Sequence, residues 1–284
     1  MTPAPTAPPY VQQKGPAPGS STHYALLFLP PAKHSAAAAL YALCHEIGSV
    51  AHAVSDPQLA HAKLAWWQTE VAHAWQGQPS HPLLKALMPS VTQFRIEQGQ
   101  LQALVEAGQM DLAQNRYLDF AALQRYTQLS GGAATQAMAR LCGQTDNATS
   151  TWAQHLGQAL KLTHLIRDVG AHARQGRIYL PVNELQQFDV KAHEILKREP
   201  SERFTALMAF QAQRAHRLFD EALALLPSAD RRAQKPGLIL ARINRSLLHE
   251  IEASQFAVLH QRLALTPLRK LWLAWQVQAL GRLG

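Results

Sequence analysis

Hydrophobic positions recur along the chain at three- and four-residue steps, the spacing that lines one side of a helix. Between residues 33 and 55 they fall at Leu40, Leu43, Ile47, Val50 and Val54. Between 151 and 173 they fall at Leu156, Leu160, Leu165, Ile166 and Val169, with Thr163 on the same stripe. Alanine, leucine and glutamine fill the positions between, and no β-branched run alternates with period two. The pattern therefore predicts helices and leaves no sequence for a sheet. Breakers at Pro30-Pro31, Asp56-Pro57, Gln76 to Pro79, Pro89, Gly131-Gly132, Gly143, Gly176, Pro200, Pro227 and Pro236-Gly237 divide the chain into about ten helical segments.

No composition shift or linker interrupts residues 20–284, so one all-α domain is expected there. Residues 1–19 are rich in proline and read as a disordered tail; they lack the apolar stretch of a signal peptide or membrane span. A last helix is expected from Pro267, with Leu268, Leu271, Trp272, Trp275 and Leu280 beside Arg269 and Lys270. Such a helix either caps a core or lies in a membrane interface, with Trp at headgroup level and cations next to it.

Of the 284 residues, 47% are hydrophobic and only 16% charged, enough to build a core. The mean hydropathy of −0.16 is that of a soluble chain, which excludes both global disorder and a multi-pass membrane protein. Two cysteines, Cys44 and Cys142, cannot make a disulfide scaffold or a four-cysteine metal site. The expected location is therefore the cytoplasm, with the last helix free to reach the inner membrane face. Lysine and arginine exceed aspartate and glutamate by 27 − 19 = +8, which favours anionic partners. The cations are dispersed, and no zinc finger, RNA-binding aromatic motif or dense basic helix appears, so nucleic acid is not expected.

Two segments carry more specific information. One runs Ser20-Ser-Thr-His-Tyr-Ala-Leu-Leu-Phe-Leu-Pro-Pro31 and continues to Ala39-Leu-Tyr-Ala-Leu-Cys-His-Glu-Ile47; the other runs Leu162-Thr-His-Leu-Ile-Arg-Asp-Val-Gly170 into Gly176-Arg-Ile-Tyr-Leu-Pro181. Together they resemble the squalene/phytoene synthase family, above all its presqualene diphosphate synthase branch in hopanoid pathways. The resemblance spans roughly residues 10–276 and includes Lys63 to Trp67, Arg116 to Phe120, Arg203 to Gln211 and Leu265 to Trp272. It implies an isoprenoid synthase helical bundle with a central apolar cavity, and a reaction that joins two farnesyl or geranylgeranyl diphosphates head to head. It implies Mg²⁺ as well, because carboxylates on two facing helices bridge the ions that neutralise departing pyrophosphate. No NADPH motif is evident. A prenyl diphosphate or another lipid is the implied partner.

The chain departs from its family where those carboxylates belong. The expected Cys-Arg-x-x-Asp-Asp-x-x-Asp reads Cys44-His45-Glu46-Ile47-Gly48-Ser49-Val50-Ala51-His52, with all three aspartates gone. Glu46 lies about 200° around the helix from Gly48 and should not substitute. In the second motif Gln-x-x-Asn-x-x-Arg-Asp-x-x-Glu-Asp reads Lys161 to His172, and only Arg167 and Asp168 are kept. Thr22, Gln128 and Asn244 stand where an aromatic residue would be expected, and Ser130 to Thr135 alter a small-residue break. The family-like remainder is Tyr41, Arg167, Arg177 and Tyr179 as residual diphosphate contacts, with Asp168 as a lone metal ligand. The same residues would also persist as packing and ion-pair groups.

Four histidines complete the candidates. His164, Asp168 and His172 are four apart and predict a shared helix face, and His45 and His52 are seven apart on the helix expected to oppose it. Imidazoles with a carboxylate could hold Zn²⁺ in place of Mg²⁺. Three functions remain open: an inactive or severely impaired family member that keeps a lipid cavity; an active prenyltransferase that recruits Glu46, Glu106 and Asp111; and a membrane-associated scaffold on the same fold.

Overall fold

Proline or a capping side chain opens most helices of the computed structural model, which describes residues 8–54 and 56–281. α1 (Pro9–Lys14) and α2 (Ser21–Leu26) lead into α3 (Pro31–Ala53), α4 (Pro57–Trp75), α5 (Pro82–Phe94) and α6 (Gln98–Ala113). α7 (Phe120–Thr127) passes through a π-helical turn (Gln128–Gly132) into α8 (Ala133–Cys142). Then come α9 (Ala148–Arg167), α10 (Val169–Arg174), α11 (Val182–Gln187), α12 (Ala192–Lys197), α13 (Glu202–Leu225), α14 (Lys235–Ala253) and α15 (Pro267–Leu280). Prolines start α1, α3, α4, α5 and α15, at the one helical position where a missing N–H costs nothing. Asp119, Ser201 and Thr266 accept first-turn amides of α7, α13 and α15.

The all-α expectation holds. Among the described residues the β-structure is one isolated bridge between Arg116 and Ile178. Helices outnumber the sequence estimate because several breaks carry no strong breaker. The helix expected over 151–173 ends α9 at Arg167 and restarts as α10 at Val169, with Asp168 at φ −99°, ψ 15° between them.

The proline-rich stretch read as a tail also differs. Residues 1–7 lie outside the described residues, but α1 is packed: Val11 is fully buried and the Tyr10 hydroxyl donates to Glu46 at 2.7 Å. Pro9 starts this short helix, and two adjacent side chains, one apolar and one amphipathic, anchor it to α3 and α5.

Two apolar cores hold the bundle. α1, α3, α4, α5, α6 and α8 enclose one, built on Leu40, Leu43, Ile47, Leu64, Leu84 and Leu101. α9, α13, α14 and the short helices around them enclose the other, built on Trp152, Leu156, Phe219, Leu248 and Ile251. The π turn lies tight against α9: a Cβ on Gly157 would sit 2.2 Å from the Gly131 carbonyl oxygen. Among the described residues no helix is long and apolar enough to cross a membrane.

Candidate functional site

Asp111 is the centre of the polar structure at the seam between the two cores. It follows Leu101, Leu104 and Gly108 on the buried stripe of α6 and is 2% exposed, so its carboxylate must find donors inside the protein. Oδ1 accepts the Tyr179 hydroxyl at 2.6 Å and the Arg177 guanidinium at 3.2 Å. Oδ2 accepts His52 Nε2 at 3.0 Å and the Tyr126 hydroxyl at 3.3 Å. Arg177 also donates to the carbonyls of Asp111 at 2.5 Å and Ala51 at 3.3 Å. One carboxylate thus ties the end of α3, α6, α7 and the 176–181 turn together.

Aromatic rings close around it. Tyr179 stacks on Tyr117 and Tyr126 at 5.8 and 5.7 Å. His172 meets Tyr179 edge-on at 4.6 Å and lies parallel to His52 at 6.3 Å. Burial would raise the Asp111 pKa, but the bonds from His52 and Tyr179 and the charge of Arg177 outweigh it and hold the carboxyl below its usual range. Burial, with the neighbouring Tyr126 and Asp111, drives the Tyr179 phenol far up. Burial takes His172 down to about 4, so near neutral pH it is an uncharged imidazole.

Asp168, the retained motif aspartate, lies elsewhere. Arg167 grips it with Nε at 2.9 Å and a terminal nitrogen at 2.5 Å, and Arg262 adds a bond at 2.8 Å from beyond α14. Burial opposes ionisation there, but the two guanidiniums hold the carboxyl at about 2. The i→i+4 backbone bonds from Asp168 to His164 and from His172 to Asp168, both 2.9 Å, carry the helical register through Asp168, and the Asp168 charge acts on both imidazoles, but the three side chains take different partners. Asp168 turns to Arg262, and His172 turns to Tyr179 and His52. Burial, with Arg167 and Lys161, takes His164 down to about 3.

The remaining sequence candidates spread outward. Tyr41 stacks on His45 at 6.3 Å, and burial raises its phenol. Glu46 faces α1 and α5, taking Tyr10 at 2.7 Å and His81 at 3.5 Å. Glu106 pairs with Arg125 on the surface at 2.7 Å. Among the described residues, none of His45, His52, His164 or His172 joins a trio of metal-ligating atoms within 4.8 Å of one another.

Arg177 and Tyr179 are therefore brought together, with His52 and His172, whereas Tyr41, Arg167 and Asp168 occupy other places. The sequence offers Asp111 as one spare carboxylate beside Glu46 and Glu106, whereas the structure makes it the hub. The signal for its role was its place on an apolar stripe, where a charge must be partnered. Lys161 is the other residue the motif reading left without a role. Its ammonium sits 4.9 Å above the Tyr126 ring, and burial lowers its pKa against the pull of Asp111 and Asp168.

Between α3, α6, the π turn and α9 lies a cavity of about 90 Å³, below the roughly 300 Å³ at which ligand pockets begin. Leu104 and Ala107 form its apolar wall, Asp111 and Lys161 its polar floor, and Gly48 opens into it with no atom within 4 Å of a built Cβ. The apolar central space expected from the resemblance is thus narrow and partly polar, because Lys161 and Asp111 project into it. A cavity of about 580 Å³ opens at the opposite end of α9. Phe28, Leu29 and Ile239 line it, with the cations Lys33, Arg232 and Lys235 and the carboxylate of Asp230.

Residues 16–269 match the sequence profile of the squalene/phytoene synthase family. The chain is 28% identical over 257 residues to 15-cis-phytoene synthase of Synechococcus elongatus, covering 86% of this chain and 83% of the relative. It is 30% identical over 251 residues to phytoene synthase of Mycobacterium tuberculosis, covering 87% and 82%. A crystal structure of a dehydrosqualene synthase in complex with ligand superposes with a TM-score of 0.79 at 21% identity, covering 92% of this chain and 91% of that one. Squalene synthase HpnC from Alicyclobacillus acidocaldarius superposes with a TM-score of 0.72 at 21% identity, covering 82% and 88%. The bundle is an isoprenoid synthase fold, and the chain belongs to the squalene/phytoene synthase family.

Proposed function

We propose that this member has given up Mg²⁺-dependent condensation of prenyl diphosphates and binds a lipid without transforming it. The supporting observation is the state of its carboxylates. Both oxygens of Asp111, on α6, and of Asp168, at the break between α9 and α10, accept bonds from within the chain. Gly48, Ser49, His52, Ala171 and His172 supply no carboxylate oxygen where the family motifs would. Mg²⁺ demands hard oxygen donors in near-octahedral array, and this donor set does not fit a cluster of such ions. Without one, the charge developing on a departing diphosphate has no preorganised counter-charge.

The test is incubation of purified protein with farnesyl diphosphate, Mg²⁺ and NADPH. No presqualene diphosphate or squalene is expected above a protein-free blank. Either product at an ordinary enzymatic turnover would overturn the reading.

The lipid part of the reading rests on the larger cavity and the surface beside it. Apolar walls with a cationic rim suit an anionic amphiphile. Next to it, Leu27 and Phe28 are exposed, as are Leu268, Trp272 and Trp275 of α15, at 79%, 55% and 43%. The two indoles stack at 5.1 Å. That surface supports the further reading that the protein rests on a membrane through α15, the apolar side chains entering the headgroup boundary. Each buried aromatic is worth about 1.5–3 kcal/mol, so Trp272→Ala with Trp275→Ala should weaken flotation with anionic vesicles roughly tenfold or more. A wild-type protein that stays at the bottom of the gradient would end the membrane reading.

A further inference from the structure

Away from the central site, α13 and α14 bring two imidazoles onto one carboxylate. His249 and Glu252 are three apart on α14 and share a face; His216 projects from α13 to meet them. Glu252 Oε1 lies 3.0 Å from His216 Nε2, and Oε2 lies 3.1 Å from His249 Nδ1. The rings stand 4.9 Å apart at 30°, and the three ligand atoms all lie within 4.8 Å of one another.

We propose that His216, His249 and Glu252 form a binding site for a borderline divalent cation, Zn²⁺ foremost, that links α13 to α14. The donor set is two imidazole nitrogens and one carboxylate oxygen, the mixture that suits Zn²⁺ and other late first-row ions and disfavours Mg²⁺. Tetrahedral Zn²⁺ with bonds near 2.0–2.1 Å separates its ligands by about 3.3 Å, so small side-chain rotations convert the observed trio into a coordinating one. The carboxylate already spans both rings, which fixes their facing edges before an ion arrives. Three protein ligands leave a fourth position for water, on the side where His249 is 62% exposed.

Arg245, one turn before His249, pairs with Asp220 of α13 at 3.1 Å, so its cation is balanced beside the site. The ion would then add a cross-link between two long helices joined by the segment 226–234, at the end of the bundle where α14 runs toward the Ala257–Leu259 turn. The site is independent of the proposed loss of catalysis. It would hold for an active enzyme as well.

The experiment uses the full-length, untagged protein after dialysis against a chelator. It is titrated with Co²⁺ while visible absorption is followed, and then with Zn²⁺ as competitor. One equivalent of Co²⁺ is expected to give the intense bands of a four- or five-coordinate ion. Zn²⁺ should displace them and a large excess of Mg²⁺ should not. His249→Ala changes an exposed side chain and should fold as wild type. It should lower Co²⁺ affinity by more than the roughly 10–100-fold that outer-shell groups carry, as should Glu252→Gln. Zn²⁺ should also raise the melting temperature of the wild type and leave that of His249→Ala unchanged. Absence of the bands in the wild type, or the same bands and affinity in His249→Ala, overturns the proposal.

Discussion

Asp111→Ala is expected to lower the unfolding free energy by about 3–5 kcal/mol, the cost of removing one partner from a buried ion pair. Arg177 is the reason. Its side chain is 12% exposed and that of Asp111 3% exposed, so the variant leaves a guanidinium in the seam with two carbonyl acceptors and no counter-charge. Tyr179, Tyr126 and His52 lose an acceptor in the same step. For a chain of this size the melting temperature should fall by roughly 6–20 °C at pH 7. Tyr179→Phe removes a single donor and should cost less, about 1.5–3 kcal/mol. Thermal unfolding followed by circular dichroism measures both. A loss under about 1 kcal/mol for Asp111→Ala would show that this network does not hold the two cores together.

The pH dependence separates the contributors. A carboxyl whose folded pKa is depressed stabilises the fold above its unfolded value, near 3.9, and loses that contribution as pH falls through the lower folded value. Asp111 and Asp168 are of this kind, so wild-type stability should drop steeply below about pH 4, and less steeply in Asp111→Ala. His164 and His172 act in a higher window. Their folded values, about 3 and about 4, lie below the unfolded value near 6.5, so acid protonates the unfolded chain first. Stability should therefore decline from about pH 6.5 downward in both proteins.

The same residues show how far the sequence carries. Leu40, Leu43, Ile47 and Val50 predict the buried face of α3, and Leu156, Leu160, Leu165 and Ile166 that of α9, because helical period alone decides which positions face inward. What period could not show was the restart at Asp168. At that point Asp168 pairs with Arg262 and His172 meets Tyr179, and Gly170, two residues on, is the one local mark of the change. Nor could spacing reveal that Asp111 draws Arg177 and Tyr179 from 66 and 68 residues away. Such partners are set by which helices pack, and packing is a property of the whole chain. α1 is hidden in the sequence for a related reason. Proline-rich composition argues for a tail, yet one buried Val11 and one Tyr10–Glu46 bond suffice to dock a single turn and a half.

The packing that sequence period leaves out also gives the second large effect. Gly157→Ala should destabilise by more than about 3 kcal/mol, at or beyond the usual range for overpacking. Its new Cβ would lie 2.2 Å from the Gly131 oxygen, 2.5 Å from the Gly131 carbonyl carbon and 2.7 Å from the Gly132 nitrogen. All three are backbone atoms, so no rotamer change relieves the clash, and α9 must move away from the π turn. That turn carries Ser130, and α9 carries Lys161, so the crossing sets the width of the central cavity. Gly48→Ala is the contrasting case: its Cβ meets nothing within 4 Å. It should be neutral or stabilising by about 0.5–1 kcal/mol, because alanine removes the entropy cost of glycine inside a helix. The urea unfolding midpoint should thus fall for Gly157→Ala and hold or rise for Gly48→Ala. A Gly157→Ala midpoint equal to wild type would mean that the two helices do not approach as closely as the Gly131–Gly157 crossing places them.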